Sequence, residues 1–404
     1  MFAQQLLLKA LQPEVMPAAA AAAGSPAGNP EQAAPQQQQQ QQLRLASFSS
    51  NYAGIPVLQA LPAHSLTRLQ LDVEAFLETE RPEVPQLLAG LSNLQELQVD
   101  STGIGELPGS CFAAIAQLSK LTQLQLDAFS WGRMREPLQQ LLAQPPPLRV
   151  LHWHVDYDWP PLNMSALTQL EDFKTYQPHP EAVLPSQLRS LQLTGIHLQD
   201  GLKPLTALQQ LQRLSVEISS DIDATEAVLR LAKRLPSLQH VALAYEEAND
   251  AAVAAPSWKQ LPQLQELRYA QGDCGSYRVH RCQMDDILAG VAAATSLTKL
   301  ELEAVCIAEC HEDESDDEAP CEWAAVAACQ QLTGSTGLQD LCITACSILP
   351  TGDARALTAL TNLTRLVLSN MREGVGDLAG ALIAQKLTQL RHLDIRSCDL
   401  GNAG

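Results

Sequence analysis

Residues 151–162 read LHWHVDYDWPPL, which sets His152, His154 and Asp156 in an H-x-H-x-D spacing. Two imidazoles two residues apart stand on the same side of an extended strand. With a carboxylate they offer the nitrogen and oxygen donors that a zinc ion takes. A working metal site also needs ligands from neighbouring elements and a second layer of hydrogen bonds to orient them. The elements beside this stretch therefore decide what the two histidines can do.

Those elements repeat. LSNLQELQVDSTGI (91–104), LSKLTQLQLDAF (118–129), LQQLQRLSVEIS (208–219), LPSLQHVALAY (235–245), LPQLQELRYA (261–270), LTALTNLTRLVLSNM (357–371) and KLTQLRHLDIRSCDL (386–400) share the frame L-x-x-L-x-L. Its first Leu recurs at Leu66, Leu94, Leu121, Leu148, Leu170, Leu188, Leu211, Leu238, Leu264, Leu297, Leu338, Leu363 and Leu390, mostly 22 to 28 residues apart. The interval from Leu170 to Leu188 is short, and those from Leu264 to Leu297 and Leu297 to Leu338 are long. The last two Leu of each frame alternate with polar residues, as a strand with one buried face requires. One copy cannot bury its Leu face alone, but stacked copies can.

The frame resembles that of the leucine-rich repeat family, L-x-x-L-x-L-x-x-N/C-x-L, over roughly residues 63–404. Two copies carry Cys at the family's ladder position, Cys346 in LQDLCITACSI and Cys398 in LRHLDIRSCDL; others put Thr102, Ile196, Val305 or Met371 there. The resemblance, closest to the ribonuclease-inhibitor-like and Cys-containing subclasses, implies an α/β leucine-rich repeat horseshoe. It would carry a parallel sheet on the concave side and helices or irregular segments on the convex side. Residues 110–118, 223–235, 283–294, 321–332 and 376–387 read as the helical connections. The connections between residues 129 and 200 are short and Pro-rich, which argues against helices there. Two domains follow: a low-complexity Ala/Pro/Gln-rich segment, 1–62, expected to be disordered, and a repeat domain, 63–404, of about 13 repeats with an acidic loop insertion at 308–320. The chain stops at CDLGNAG, without the polar capping segment that terminal repeats need, so a further repeat or a partner is expected over that end.

The frame answers the question of the histidines. Leu148, Leu151 and Trp153 occupy the three core positions of their repeat, so His152 and His154 face the concave side while Trp153 points inward. The H-x-H spacing, although similar to a metallo-hydrolase signature, follows from the strand alone. The flanking wall positions hold Gln123, Gln125 and Asp127 before it and Asp172 and Lys174 after it; a lysine does not favour zinc. The functional reading is a partner-binding patch of His152, His154, Lys174 and Tyr176. Seven of the seventeen aromatics lie between Phe129 and Tyr176, with Trp131, Tyr157 and Trp159 past the strand ends. Asp72, Asp100 and Asp127 fall in one column of the wall, an acidic strip suited to a basic partner. No cluster of nucleophile, base and oxyanion donor appears along the wall. No catalytic residue, metal, cofactor or small-molecule substrate is expected.

The acidic insertion, AECHEDESDDEAPCEW (308–323), holds Ser315 between runs of Asp and Glu, a pattern similar to the substrates of acidophilic kinases. Cys306, Cys310, His311 and Cys321, with Cys274, His280 and Cys282 before them, match no standard zinc-finger spacing. They read as chance thiols in Ala-rich segments. With 26 Lys and Arg against 45 Asp and Glu, the net charge is −19, which disfavours phosphate-rich nucleic acid and anionic membrane surfaces alike. No run is long and apolar enough to span a bilayer. The sequence start lacks the features of an export signal, so the thiols are expected to stay reduced in a cytoplasmic compartment.

The resemblance implies a non-enzymatic scaffold that binds a partner protein through the concave face. Similar Leu-rich proteins of ciliated protists and algae are assigned to the cytoskeleton and the cilium axoneme, and the poly-Ala and poly-Gln tracts suit such a genome. Two alternatives are a ubiquitin-ligase substrate adaptor of the F-box leucine-rich type, although residues 1–62 hold no F-box-like stretch, and a small-GTPase regulator, although there the acid run follows the repeats.

Overall fold

Leu94, Leu97 and Val99 show what one frame builds. All three are at most 2% exposed, while the residues between them, Glu96 and Gln98, stay partly open to solvent. The alternation drives one side of a short strand into the core and leaves the other wet. Each buried Leu contributes about 1.5–3 kcal/mol. The same pattern recurs in the strands Asp172–Tyr176, Lys299–Glu303 and Asp340–Thr344.

The computed structural model describes residues 44–50, 55–72, 83–100, 107–129, 135–155, 161–176, 178–196, 199–218, 222–245, 255–271, 288–303, 328–344, 352–372 and 375–398. They form two compact units divided between Pro147 and Leu148. In the first, β1 (Ser47–Ser50), β2 (Arg68–Asp72), β3 (Glu96–Asp100) and β4 (Gln123–Phe129) pair in chain order, all parallel. Behind them lie α1 (Ile55–Ala60), α2 (Glu83–Gly90), α3 (Gly109–Ala116) and α4 (Arg135–Ala143). In the second, β5 (Val150–Val155), β6 (Asp172–Tyr176), β7 (Ser190–Ile196), β8 (Arg213–Ile218) and β9 (His240–Tyr245) pair in the same way. The series continues through β10 (Glu266–Gln271), β11 (Lys299–Glu303), β12 (Asp340–Thr344), β13 (Arg365–Arg372) and β14 (His392–Cys398). This is the α/β leucine-rich repeat architecture: one strand per repeat, parallel to the next, with a helix or irregular segment returning the chain.

A recurrent backbone device holds the register. The N–H groups of Gln95 and Glu96 both donate to the carbonyl of Thr67, at 2.8 and 3.0 Å. Gln212 and Arg213 do the same to Arg189, Gln239 and His240 to Gln212, Gln265 and Glu266 to Gln239, and Arg391 and His392 to Thr364. Each carbonyl has two lone pairs, so one acceptor satisfies two donors as the chain enters the strand. Within each unit, neighbouring strands therefore start at the same height.

The returns differ from expectation in two places. The first is α4, which forms where the Pro-rich sequence argued against helices. In REPLQQLLA, Leu138, Leu141 and Leu142 stand at helical spacing and are all buried, and Pro137 sits in the first turn, where no backbone N–H is required. Gly109 makes room for it: a Cβ there would meet Pro137 Cγ at 2.7 Å. Further along, residues 161–189 return without a helix among the described residues, through a parallel bridge of Asn163 with Val183. The second difference is the start of the stack. β1 and α1 lie within 1–62, and β1 pairs Phe48 with Leu69 and Ser50 with Leu71. Leu45, Phe48 and Ser50 fill the three core positions of an additional repeat, whose polar third member breaks the Leu pattern. Residues 1–43 and the acidic insertion at 308–320 lie outside the described residues.

The second unit's returns run from the α-helices α5 (Ile222–Ala232), α6 (Ala328–Gln331) and α7 (Gly376–Lys386) to the 3-10 segments Gln199–Ala207, Ala255–Gln260 and Asp353–Ala359. Residues 288–292 are also helical. Asp353 ties two returns together: its Oδ2 accepts the backbone N–H of Cys329 at 2.8 Å, and burial raises its carboxyl pKa. Trp153 is the largest of the described side chains that are less than 2% exposed, at 1%. Its Nε1–H donates to Thr175 Oγ1 at 3.0 Å, and its ring meets Phe173 edge-on with centroids 5.7 Å apart.

Candidate functional site

Strand register turns the outward residues into rows. In the first unit Arg68, Glu96 and Gln123 share one row, Gln70, Gln98 and Gln125 the next, and Asp72, Asp100 and Asp127 the third. The predicted acidic column thus exists as a row of three carboxylate residues, on strands about 4.8 Å apart. The glutamines serve it: Gln70 Nε2 donates to Asp100 at 3.1 Å, Gln98 Nε2 to Asp100 at 3.0 Å, and Gln125 Nε2 to Asp127 at 2.6 Å. Arg68 pairs with Glu96, the hydrogen bond that raises its pKa, and the cation is engaged away from the Asp row.

In the second unit one row runs Asp172, Ser190, Arg213, His240, Glu266, Lys299, Asp340, Arg365 and His392 from β6 to β14. Acidic and basic residues alternate along its later part, and neighbours pair. His240 Nδ1 lies 2.9 Å from Glu266, Lys299 Nζ 3.6 Å from Glu266, and Arg365 Nη1 3.0 Å from Asp340. The next row runs Lys174, Gln192, Ser215, Ala242, Arg268 and Glu301. Arg268 reaches Glu301 at 3.5 Å and Glu303 at 2.9 Å; the bond to Glu303 raises the Arg268 pKa.

Where both rows turn small, a trough of about 510 Å³ opens in the face. Ser190, Ser215 and Ala242 line it with Arg213, and the pairs His152–Asp172 and Arg268–Glu301 stand about it. It has the size of a small ligand pocket, but its lining is polar where such pockets are mostly apolar.

The predicted patch is only partly assembled. His152, 28% exposed, faces outward opposite Lys174 in register, and its Nε2 lies 3.6 Å from Asp172 Oδ1. Tyr176 stands two residues along from Lys174 on the same face of β6. His154 belongs to β5, but its side chain lies outside the description, as do Asp156, Trp131, Tyr157 and Trp159. Ser315 and the cluster of Cys306, Cys310, His311 and Cys321, with Cys274, His280 and Cys282, are also outside the described residues. Among the described residues no group of three His, Cys, Asp or Glu side chains could hold a metal ion.

The four described cysteines, Cys111, Cys329, Cys342 and Cys398, form no disulfide with one another. Burial pushes the Cys111 thiol up to about 12, so it stays protonated and is a poor nucleophile. Cys398 Sγ lies 3.3 Å from the carbonyl of Arg396 on its own strand and 3.7 Å from that of Leu368 on the preceding one. Among the described residues no helix is long and apolar enough to cross a membrane.

The same alternation sets Arg213, Glu266 and Arg268 on the wall, but His240, Ala242 and Ala244 are harder to recognise there. The signal was present: Leu238, Val241 and Leu243 are the three core residues of LPSLQHVALAY, which puts His240, Ala242 and Ala244 outward. Alanines look like core residues, and only the offset from Leu238 puts Ala242 on the floor of the trough.

No protein-family profile matches the chain, and no curated protein does. Solved structures do resemble it, among them the TLR13–ssRNA13 complex, at 14% identity and a TM-score of 0.34. That match covers 86% of this chain and 60% of the TLR13 chain, so the protein spans less than two thirds of its length.

Proposed function

We propose that the protein is a non-enzymatic scaffold that binds a partner protein through the outward face of its strands. The observation that carries this reading is the register of that face. Polar side chains stand in rows set by the paired N–H contacts to a single carbonyl, so the surface is built before a partner arrives and little ordering cost remains. The Asp72, Asp100 and Asp127 row favours a basic stretch on the partner, with an attachment that weakens as salt rises. A net charge of −19 disfavours RNA or DNA as the ligand. Cysteines that form no disulfide among the described residues suit a reducing, cytoplasmic compartment. Within it, a cytoskeletal or axonemal partner accords with the resemblance to Leu-rich proteins of ciliated cells.

Affinity capture from native cell extract, with the wild-type chain beside a D72N/D100N/D127N variant, tests this. The expected result is a partner recovered by the wild type and reduced by about tenfold for the variant, which melts at the wild-type temperature. Equal recovery by both contradicts the assignment of the acidic row.

A further inference from the structure

We infer that the trough in the second unit receives a carboxylate side chain of a partner polypeptide, held by Arg213; this rests on the scaffold reading above. The inference starts from an accounting of which carboxylates and cations already have a side-chain neighbour. Asp172 has His152, Glu266 has His240 and Lys299, and Glu301 has Arg268. Arg213, exposed at the surface, lines the same depression and has no ion pair among the described residues. Its register neighbours in the row are Ser190 on β7 and His240 on β9, and neither supplies a carboxylate.

The shape fits the same occupant. A guanidinium presents its donors as a planar fork that matches a carboxylate in two parallel hydrogen bonds. The floor beside it is Ser190, Ser215 and Ala242, small enough for a side chain to descend to the sheet, and the two hydroxyls can donate to the same oxygens. The surrounding acids limit what else enters. Asp172, Glu266 and Glu301 repel a doubly charged phosphate or a run of acidic residues more strongly than a single carboxylate. The partner segment therefore carries one Asp or Glu among neutral or basic neighbours.

A displayed library of random linear peptides, selected on the full chain, supplies the probe, and the winning peptide is measured by calorimetry. The winners are expected to share one Asp or Glu. Changing it to Asn or Gln should weaken binding by about tenfold or more, Arg213→Gln should do the same, and the two losses should not add. Arg213→Glu should recover binding to the peptide carrying Lys at that position. Arg365→Gln, whose guanidinium is already paired with Asp340, should keep the wild-type affinity.

Winners without a common acid, additive losses, or a wild-type affinity in Arg213→Gln overturn the inference. So does inorganic phosphate binding more tightly than the peptide. Peptides that ignore Arg213 but are blocked by Ala242→Arg, which fills the trough, leave the scaffold reading standing. Peptides indifferent to Ala242→Arg and to D72N/D100N/D127N, or a library that yields no binder, contradict both.

Discussion

Trp153→Ala is expected to destabilise the second unit by about 3–5 kcal/mol, read as a fall in the urea midpoint at unchanged slope. The indole fills the last core position of its repeat at 1% exposure, meets Phe173 edge-on, and donates to the buried hydroxyl of Thr175. Its removal takes away apolar contact, an aromatic pair and a hydrogen bond at once. A stack transmits the loss, because each repeat is buried only by its neighbours. The paired control is His152→Ala, one residue away on the wet face, expected within about 0.5 kcal/mol of wild type. Equal effects at the two positions would mean that the strand does not alternate as described.

The second large effect comes from placing a charge on the core side of the trough. Leu214→Asp buries a carboxylate at a position 1% exposed, with apolar strands on either side. An unpaired buried charge costs about 4 kcal/mol or more, enough to unfold the repeats around β8. Ser215→Asn, the next residue but on the outward row, should change stability by less than about 0.5 kcal/mol. Circular dichroism on heating separates the two outcomes. A folded Leu214→Asp variant with a normal transition would place Leu214 outside the core.

The repeat architecture was legible because burial repeats. Leu, x, x, Leu, x, Leu is the footprint of a strand packed on one side only, and β2 to β14 follow from it almost residue by residue. β1 was not legible because Ser50 holds the third core position, where other frames hold Leu, Val, Ile, Tyr or Trp and β6 holds the buried Thr175, which a frame of well-matched Leu170 and Phe173 precedes; β1 is the first described strand, and its core positions stay partly exposed. The short returns were harder still. Pro137 reads as a helix breaker unless it falls in the first turn, and only the packing of Leu138, Leu141 and Leu142 shows that it does. The last described strand shows the converse: Leu393, in register with the fully buried Leu366, is 41% exposed because no described strand lies beyond it.

The site was half legible for the same reason. Alternation placed His152, Lys174 and the Asp72, Asp100 and Asp127 row on the outward face, because period two fixes the side a residue takes. It could not reveal the trough, which depends on small residues coinciding across β7, β8 and β9. Nor could it reveal which polar side chains already face each other. His240 with Glu266 and Arg268 with Glu303 are contacts between strands whose sequence positions lie 26 and 35 residues apart. Pairing at that range follows from register, and register follows from the carbonyl contacts, which leave no trace in residue type.

The account depends on alternation between a dry and a wet side in every strand. Hydroxyl-radical footprinting of the native full chain, read by mass spectrometry, measures it without any substitution. Trp153 and Phe173 should be protected despite their intrinsic reactivity, while His152, His240 and Arg268 are modified. Oxidation of Trp153 at the rate of the unfolded chain, with His152 protected, would contradict it.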